Sequence, residues 1–182
     1  MHTLSSILRV EEHPDENIIG DLPKVIVGQV HGWEIKQALV KVQWEGDNRP
    51  VRVIMNQSFF KDNLECTDEL AELTGCDEWP FSVELGTYAT EDEWRYDITL
   101  DADGIYVKSQ RQDGTSEVSH KILWGEEYRD KDGNIVVLDN KWTDDDLAFY
   151  FKAGIYPQVS PNESFIGQSF DVSFSQINLF HE

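Results

Sequence analysis

The sequence is poor in positive charge, cysteine and long apolar runs, and each shortage excludes something. Fifteen Lys and Arg face 35 Asp and Glu, a net charge of −20. Nucleic acid and anionic membrane surfaces are therefore poor partners, because phosphate binding needs a basic footprint. A solvated acidic surface accounts for the excess. A polyanionic ligand would be repelled at long range, so a site for one must concentrate its few cations locally. No apolar run is long enough for a membrane span. Met1–Leu8 has neither a basic n-region nor an apolar h-region, so it does not read as a signal peptide. Cys66 and Cys76 are the only cysteines. They could clasp a local loop as a disulfide or stay reduced. No Cys/His spacing suits zinc, and Asp144-Asp145-Asp146 reads as a solvated loop rather than a calcium site. No metal and no cofactor are expected.

The chain has 182 residues, 40% of them hydrophobic and 12% aromatic, enough for a core and the size of one domain. Short strand-like stretches recur between Gly, Asp, Asn and Pro. They include Thr3–Glu11, Lys24–Gly32, Ala38–Trp44, Val51–Met55 and Phe81–Ala89. Arg95–Leu100 and Ile105–Gln110 flank an Asp-Ala-Asp-Gly turn and form a hairpin. Glu117–Leu123, Ile135–Leu138 and Phe165–Leu179 add further strands, the last with Phe170, Val172 and Phe174 on one face. Ser58–Glu78 could hold a short helix or an ordered loop. There is no βαβ rhythm. The pattern predicts an all-β antiparallel sandwich or barrel.

Two stretches carry chemistry. In Tyr150–Gln158, strict alternation places Tyr150, Lys152, Gly154, Tyr156 and Gln158 on one face and Phe149, Phe151, Ala153 and Ile155 on the other. Two phenols, an ammonium and an amide on one face suit a polar, anionic ring-shaped ligand. In Val25–Gly32, alternation puts Val25, Val27, Gln29 and His31 together. An amide can donate to a carboxylate while an imidazole takes or shares a proton. Neither a nucleophile arrangement nor a marked carboxylate pair is present. The groups suit proton abstraction beside a carboxylate, with Gln29 and a cation stabilising enolate-like charge. His31 or Tyr156 would take the proton, and Tyr156 would protonate the leaving oxygen. Lys41, which alternates with Leu39 and Gln43, is a further groove candidate, and Trp33 a candidate stacking platform. Arg52, Lys108, Arg111 and Lys121 read as surface residues.

The same residues carry a family resemblance. Gln29-Val30-His31 resembles the Gln-(Ile/Val)-His motif of the jelly-roll alginate lyases, polysaccharide lyase family seven. Tyr150–Gln158 is similar to that family's Tyr-Phe-Lys-Ala-Gly-x-Tyr-x-Gln motif at every fixed position. His2-Thr3-Leu4-Ser5 resembles the strand leading toward the first motif. The resemblance implies a two-sheet antiparallel β-jelly-roll with a concave substrate groove. It also implies β-elimination on alginate, a polymer of mannuronate and guluronate, by a secreted or periplasmic enzyme. By position, Gln29 would neutralise the uronate carboxylate, His31 would be base or carboxylate partner, and Tyr156 the acid. Lys152, Gln158, Tyr150 and Lys41 would bind substrate. Valine at position 30 is associated in the family with mannuronate. The family's arginine-bearing motif would precede His2 and is not in this sequence; Arg9 lies in the following strand and is not equated with it. The expectation is one alginate-lyase-like jelly-roll over residues 1–182, N-terminally truncated. It would be either an active lyase or a non-catalytic acidic-polysaccharide-binding relative.

Overall fold

The computed structural model describes residues 1–32, 38–57, 67, 69, 80–143, 148–159 and 162–182. Ser58–Glu78, Cys66, Cys76, Trp33 and the Asp144–Asp146 run fall wholly or mostly outside the described residues, and with them the expectations placed there. The strands are β1 (His2–Glu12), β2 (Val25–Gly32), β3 (Ala38–Trp44), β4 (Pro50–Met55), β5 (Phe81–Thr87) and β6 (Trp94–Leu100). They continue with β7 (Gly104–Arg111), β8 (Val118–Leu123), β9 (Glu127–Arg129), β10 (Ile135–Val137), β11 (Phe149–Pro157) and β12 (Asp171–His181). One sheet runs β12-β1-β6-β7-β8, the other β11-β2-β3-β4-β5, and β9 and β10 pair separately. All these named pairings are antiparallel, which gives the two-sheet jelly-roll sandwich expected.

The strands form where β-branched and aromatic side chains alternate with polar ones, because such residues fit a pleated, half-buried surface. Inward residues from both sheets make one core, including Leu8, Val40, Val53, Ile98 and Val107. Aromatic rings fix the spacing of the layers. Tyr88 and Trp94 stack with ring centroids 4.7 Å apart and planes 1° apart. The Trp44 indole donates to the Tyr88 carbonyl at 2.8 Å. Phe170, Val172 and Phe174 pack on this core as the sequence predicts.

Three local differences from the sequence reading have simple causes. A short helix α1 (Glu16–Ile19), not foreseen between the first two strands, follows β1: Asp15 caps it by accepting from the Asn17 N–H, and Gly20 ends it at φ 68°. Phe165 belongs to a 3-10 turn capped by Asn162, so β12 begins only at Asp171. The short β9 was not anticipated. It is held to β8 and β5 by His120, whose Nε2 donates to the Glu84 carbonyl at 2.8 Å and whose Nδ1 accepts from the Tyr128 hydroxyl at 2.6 Å.

β11 and β12 are sheet edges on the same side of the sandwich. They leave Ile155, Tyr156, Ile177, Leu179 and Phe180 exposed. A crevice of about 910 Å³ opens between these edges, lined in part by Trp124, Trp142, Phe149, Phe151 and Leu179. No helix among the described residues is long and apolar enough to cross a membrane.

Candidate functional site

The outer face of the β11-β2-β3-β4-β5 sheet carries a cleft of about 750 Å³. Strand register sets its floor in three rows. The first runs Tyr150–His31–Ala38, and the second Lys152–Gln29–Lys41–Ile54. The third runs Tyr156–Ile26–Gln43–Arg52. Directly opposed side chains in such rows stand roughly 4.5–5.5 Å apart at Cβ. Lys152, Gln29 and Lys41 are thus consecutive neighbours across three strands.

Each row has a definite chemistry. Gln29 is 6% exposed and lines the cleft, and its amide has no hydrogen-bond partner among the described residues. That amide is not among the fully enclosed unpartnered polar groups, so it opens into the cleft where a polar ligand can meet it. The His31 Nδ1 donates to the Gly32 carbonyl at 2.8 Å, which can only accept. In the neutral ring this bond leaves Nε2 as the unprotonated nitrogen, the form a base needs. The Tyr150 ring lies 5.6 Å from the His31 ring, and the Lys152 ammonium sits 5.1 Å over the Tyr150 ring. Tyr156 is 57% exposed, with its phenol at the open side of the cleft.

Three register skips shape this floor: two have a glycine at the break, and the third lies between Val30 and His31. The β2–β3 register skips between Ile26 and Gly28. Gly28 then faces the core: a Cβ there would lie 2.4 Å from the Tyr96 hydroxyl. That hydroxyl donates to the Val27 carbonyl at 2.9 Å, and burial pushes the Tyr96 phenol well above its ordinary pKa. Tyr96 therefore pins the bulge that sets the height of Gln29. The second skip, between Ala153 and Tyr156, contains Gly154. The bulges break the strict alternation expected for both strands. Val27 is a core residue, and Ile26 lines the cleft instead. Ile155, expected on the core face, is 45% exposed and also lines the cleft.

Of the residues singled out in the sequence, Gln29, His31, Tyr156, Lys152 and Lys41 come together in one cleft. Tyr150 does not line it directly; it touches His31 from the crevice side. Gln158 lies outside the cleft. Its backbone N–H donates to the Lys24 carbonyl at 2.7 Å and its side chain to the Pro157 carbonyl at 3.2 Å. Arg52, Lys108, Arg111 and Lys121 each pair with a carboxylate, as surface cations do. Sequence reasoning missed Ala38 and Asn56, which close one end of the cleft. Asn56 donates to the Ala38 carbonyl, an end-of-strand contact with no advance signal beyond an Asn after a β-branched run. No group of three or more metal-ligating side chains occurs among the described residues.

Comparison with known proteins bears on the fold and the family. No curated protein sequence matches the chain. Many solved structures share its fold, and three illustrate the likeness. An alginate lyase of Pseudomonas aeruginosa has 19% identity and a TM-score of 0.61, with 100% of this chain covering 64% of that one. Alginate lyase A1-II', a member of polysaccharide lyase family 7, has 19% identity and a TM-score of 0.62, with 99% of this chain covering 61% of that one. Alginate lyase AlyC3 has 16% identity and a TM-score of 0.65, with 98% of this chain covering 63% of that one. The chain thus spans less than two thirds of the length of the solved lyases it matches. The alginate lyase family model matches residues 1–181, and the chain belongs to the alginate lyase family.

Proposed function

We propose that this chain is a polysaccharide lyase that cleaves alginate by β-elimination, yielding unsaturated uronate oligosaccharides. The observation that carries the reading is one cleft holding an unpartnered amide, a base-competent imidazole, a phenol and two ammonium groups. Gln29 would donate to the uronate carboxylate and draw charge onto it, which acidifies the neighbouring C5–H. His31, through Nε2, would take that proton, or would share the carboxylate while an ionised Tyr156 takes the proton and passes it on. As the C5–H electrons form the C4=C5 double bond, the C4–O glycosidic bond breaks. The departing oxygen takes its proton from the Tyr156 hydroxyl. Tyr150 would hold His31 through ring contact rather than bind substrate directly, and Gln158 would steady the end of β11.

Family membership supports the uronate assignment. AlyC3 has been solved with dimannuronate and A1-II' with the product GGG, so neither uronate is excluded by analogy. By family likeness the enzyme would act in a secreted or periplasmic setting. Residues 1–182 would work as one jelly-roll domain.

The test is a lyase assay on separate mannuronate and guluronate blocks, read as the ultraviolet absorbance of the new conjugated double bond. The expected result is a steady rise with at least one of them. Tyr156→Phe should lower that rate by about 100-fold or more, the usual worth of a positioned acid, while the circular dichroism spectrum stays unchanged. Retention on immobilised alginate without any absorbance rise would instead identify a non-catalytic binding relative.

A further inference from the structure

We propose that His2 and His181 form a site for a divalent transition-metal ion, best suited to copper(II), that staples the first strand to the last. The site lies outside the cleft and does not rest on the lyase reading. His2 on β1 and His181 on β12 stand directly opposite each other in the antiparallel register, and both are exposed. Their Nδ1 atoms are 2.8 Å apart, and their ring centroids 5.1 Å apart at an interplanar angle of 61°. When both rings are neutral, one donates its Nδ1–H and the other offers a lone pair. Moving that proton to the donor's own solvent-facing Nε2 frees both Nδ1 lone pairs, the form in which imidazole ligates a metal. Small rotations of the rings then point both lone pairs at one ion.

The separation selects the ion. With bonds of about 2.0 Å to imidazole nitrogen, two neighbouring ligands at 90° stand about 2.8 Å apart, and two tetrahedral ligands about 3.3 Å. The observed spacing suits the square-planar or tetragonal habit of copper(II) or nickel(II) better than the tetrahedral habit of zinc. Copper(II) also heads the affinity order of divalent ions for such ligands. No third His, Cys, Asp or Glu completes the set among the described residues, so solvent takes the remaining positions and the ion can exchange. The other histidines are committed to the fold. His13 bonds the Pro14 carbonyl and His31 the Gly32 carbonyl, while His120 spends both nitrogens on Tyr128 and the Glu84 carbonyl. The rings of His2 and His181 bond each other and nothing else among the described residues. Their position gives the ion something to do. β12 is a sheet edge paired only with β1, and a bridge at the end of that register would hold the strand where an edge frays. A net charge of −20 draws cations toward the molecule at long range.

The test titrates copper(II) calorimetrically into metal-stripped, tag-free protein and follows the melting temperature. It uses the wild type, His2→Asn, His181→Asn and the double variant. One copper(II) should bind per chain. Its electron paramagnetic resonance spectrum should show two nitrogen donors in the wild type and one in each single variant. Removing either imidazole should weaken binding by about 100-fold, the gain that joining two ligands in one site supplies. At a free concentration about 100 times the dissociation constant, copper(II) should raise the wild-type melting temperature by roughly 5–10 °C. The double variant should show no rise, and magnesium, which takes oxygen ligands, should give none with any variant. Both positions are exposed, so the metal-free variants should melt within about 3 °C of the wild type. A copper(II) shift that survives in the double variant puts the ion elsewhere and overturns the site. Two weak ions per chain, each lost with one histidine, would mark the pair as separate surface imidazoles and overturn it too. A wild-type spectrum with fewer than two nitrogen donors does the same, however the variants fold.

Discussion

At the scale of single residues, the molecule separates charges that hold the fold from charges kept open for a ligand. Asp47 belongs to the first kind. It accepts from the Thr90 N–H at 2.7 Å and the Thr90 hydroxyl at 2.6 Å, tying the β3–β4 turn to the loop after β5. Burial works to raise its pKa, but the two Thr90 bonds and the nearby His13 outweigh it and hold the carboxyl below its ordinary value. A folded-state pKa below the unfolded value of about 3.9 means stability that is present above that value and lost as pH falls through the folded one. Asp47→Asn should therefore lower the melting temperature at pH 7 by roughly 2–4 °C, about 1 kcal/mol in a chain of this size. The gap should close as the pH is taken below the carboxylate range. Differential scanning calorimetry at a series of pH values checks this, and a gap independent of pH would remove the charge from the explanation. Gln29 is the contrasting case: it gains nothing from the fold and is placed for something outside it.

At the scale of elements, strand existence was legible and strand geometry was not. Alternating β-branched residues and strong turn signals placed β2, β3, β4, β6 and β7 within a residue or two. The faces were misread because strict alternation ignores bulges. Two of the three skips had a visible sign, a glycine inside a strand, at Gly28 and Gly154; the one between Val30 and His31 had none at the break. What the sequence did not reveal is which glycine is sterically required, because that depends on Tyr96 reaching across from β6. The structure distinguishes them. Gly28→Ala would drive a methyl into the Tyr96 hydroxyl and ring, whereas the space beside Gly154 is open. Gly28→Ala should cost about 1–3 kcal/mol as an overpacked core site and move Gln29 with the bulge, so uronate affinity falls as well. Gly154→Ala should change stability by less than about 1 kcal/mol. Urea denaturation of the two variants, with ligand titration alongside, separates them. Equal costs would mean that β2 relaxes around Tyr96 and that the bulge is not pinned. The candidate site was legible for the same reason as the strands: Gln29, His31, Lys152 and Tyr156 are unusual residues for their strands. Gln158 follows the last residue of β11, Pro157, and lies outside the cleft, tied by its N–H to the Lys24 carbonyl.

At the scale of the whole molecule, a net charge of −20 acts on folding and, on the proposed function, on substrate capture through the same screening. Self-repulsion among surface carboxylates destabilises the compact state. Its range shrinks from about 30 Å at 0.01 M salt to about 8 Å at 0.15 M. The melting temperature should therefore rise over that interval. On the proposed lyase function, capture of a polyuronate would face the same long-range repulsion, and kcat/KM should also rise from about 0.01 to 0.15 M salt. The contacts of Lys41, Gln29 and Lys152 act at hydrogen-bond distance and are little affected there. Toward about 1 M, where the screening length is about 3 Å, the ammonium–carboxylate attraction itself weakens. kcat/KM should then fall while the melting temperature does not. Initial rates at substrate concentrations well below saturation, measured across this series beside the melting temperatures, test the argument. A kcat/KM that falls steadily from the lowest salt would show that the cleft's own cations dominate the approaching polymer's field. The acidic surface would then have no part in the encounter.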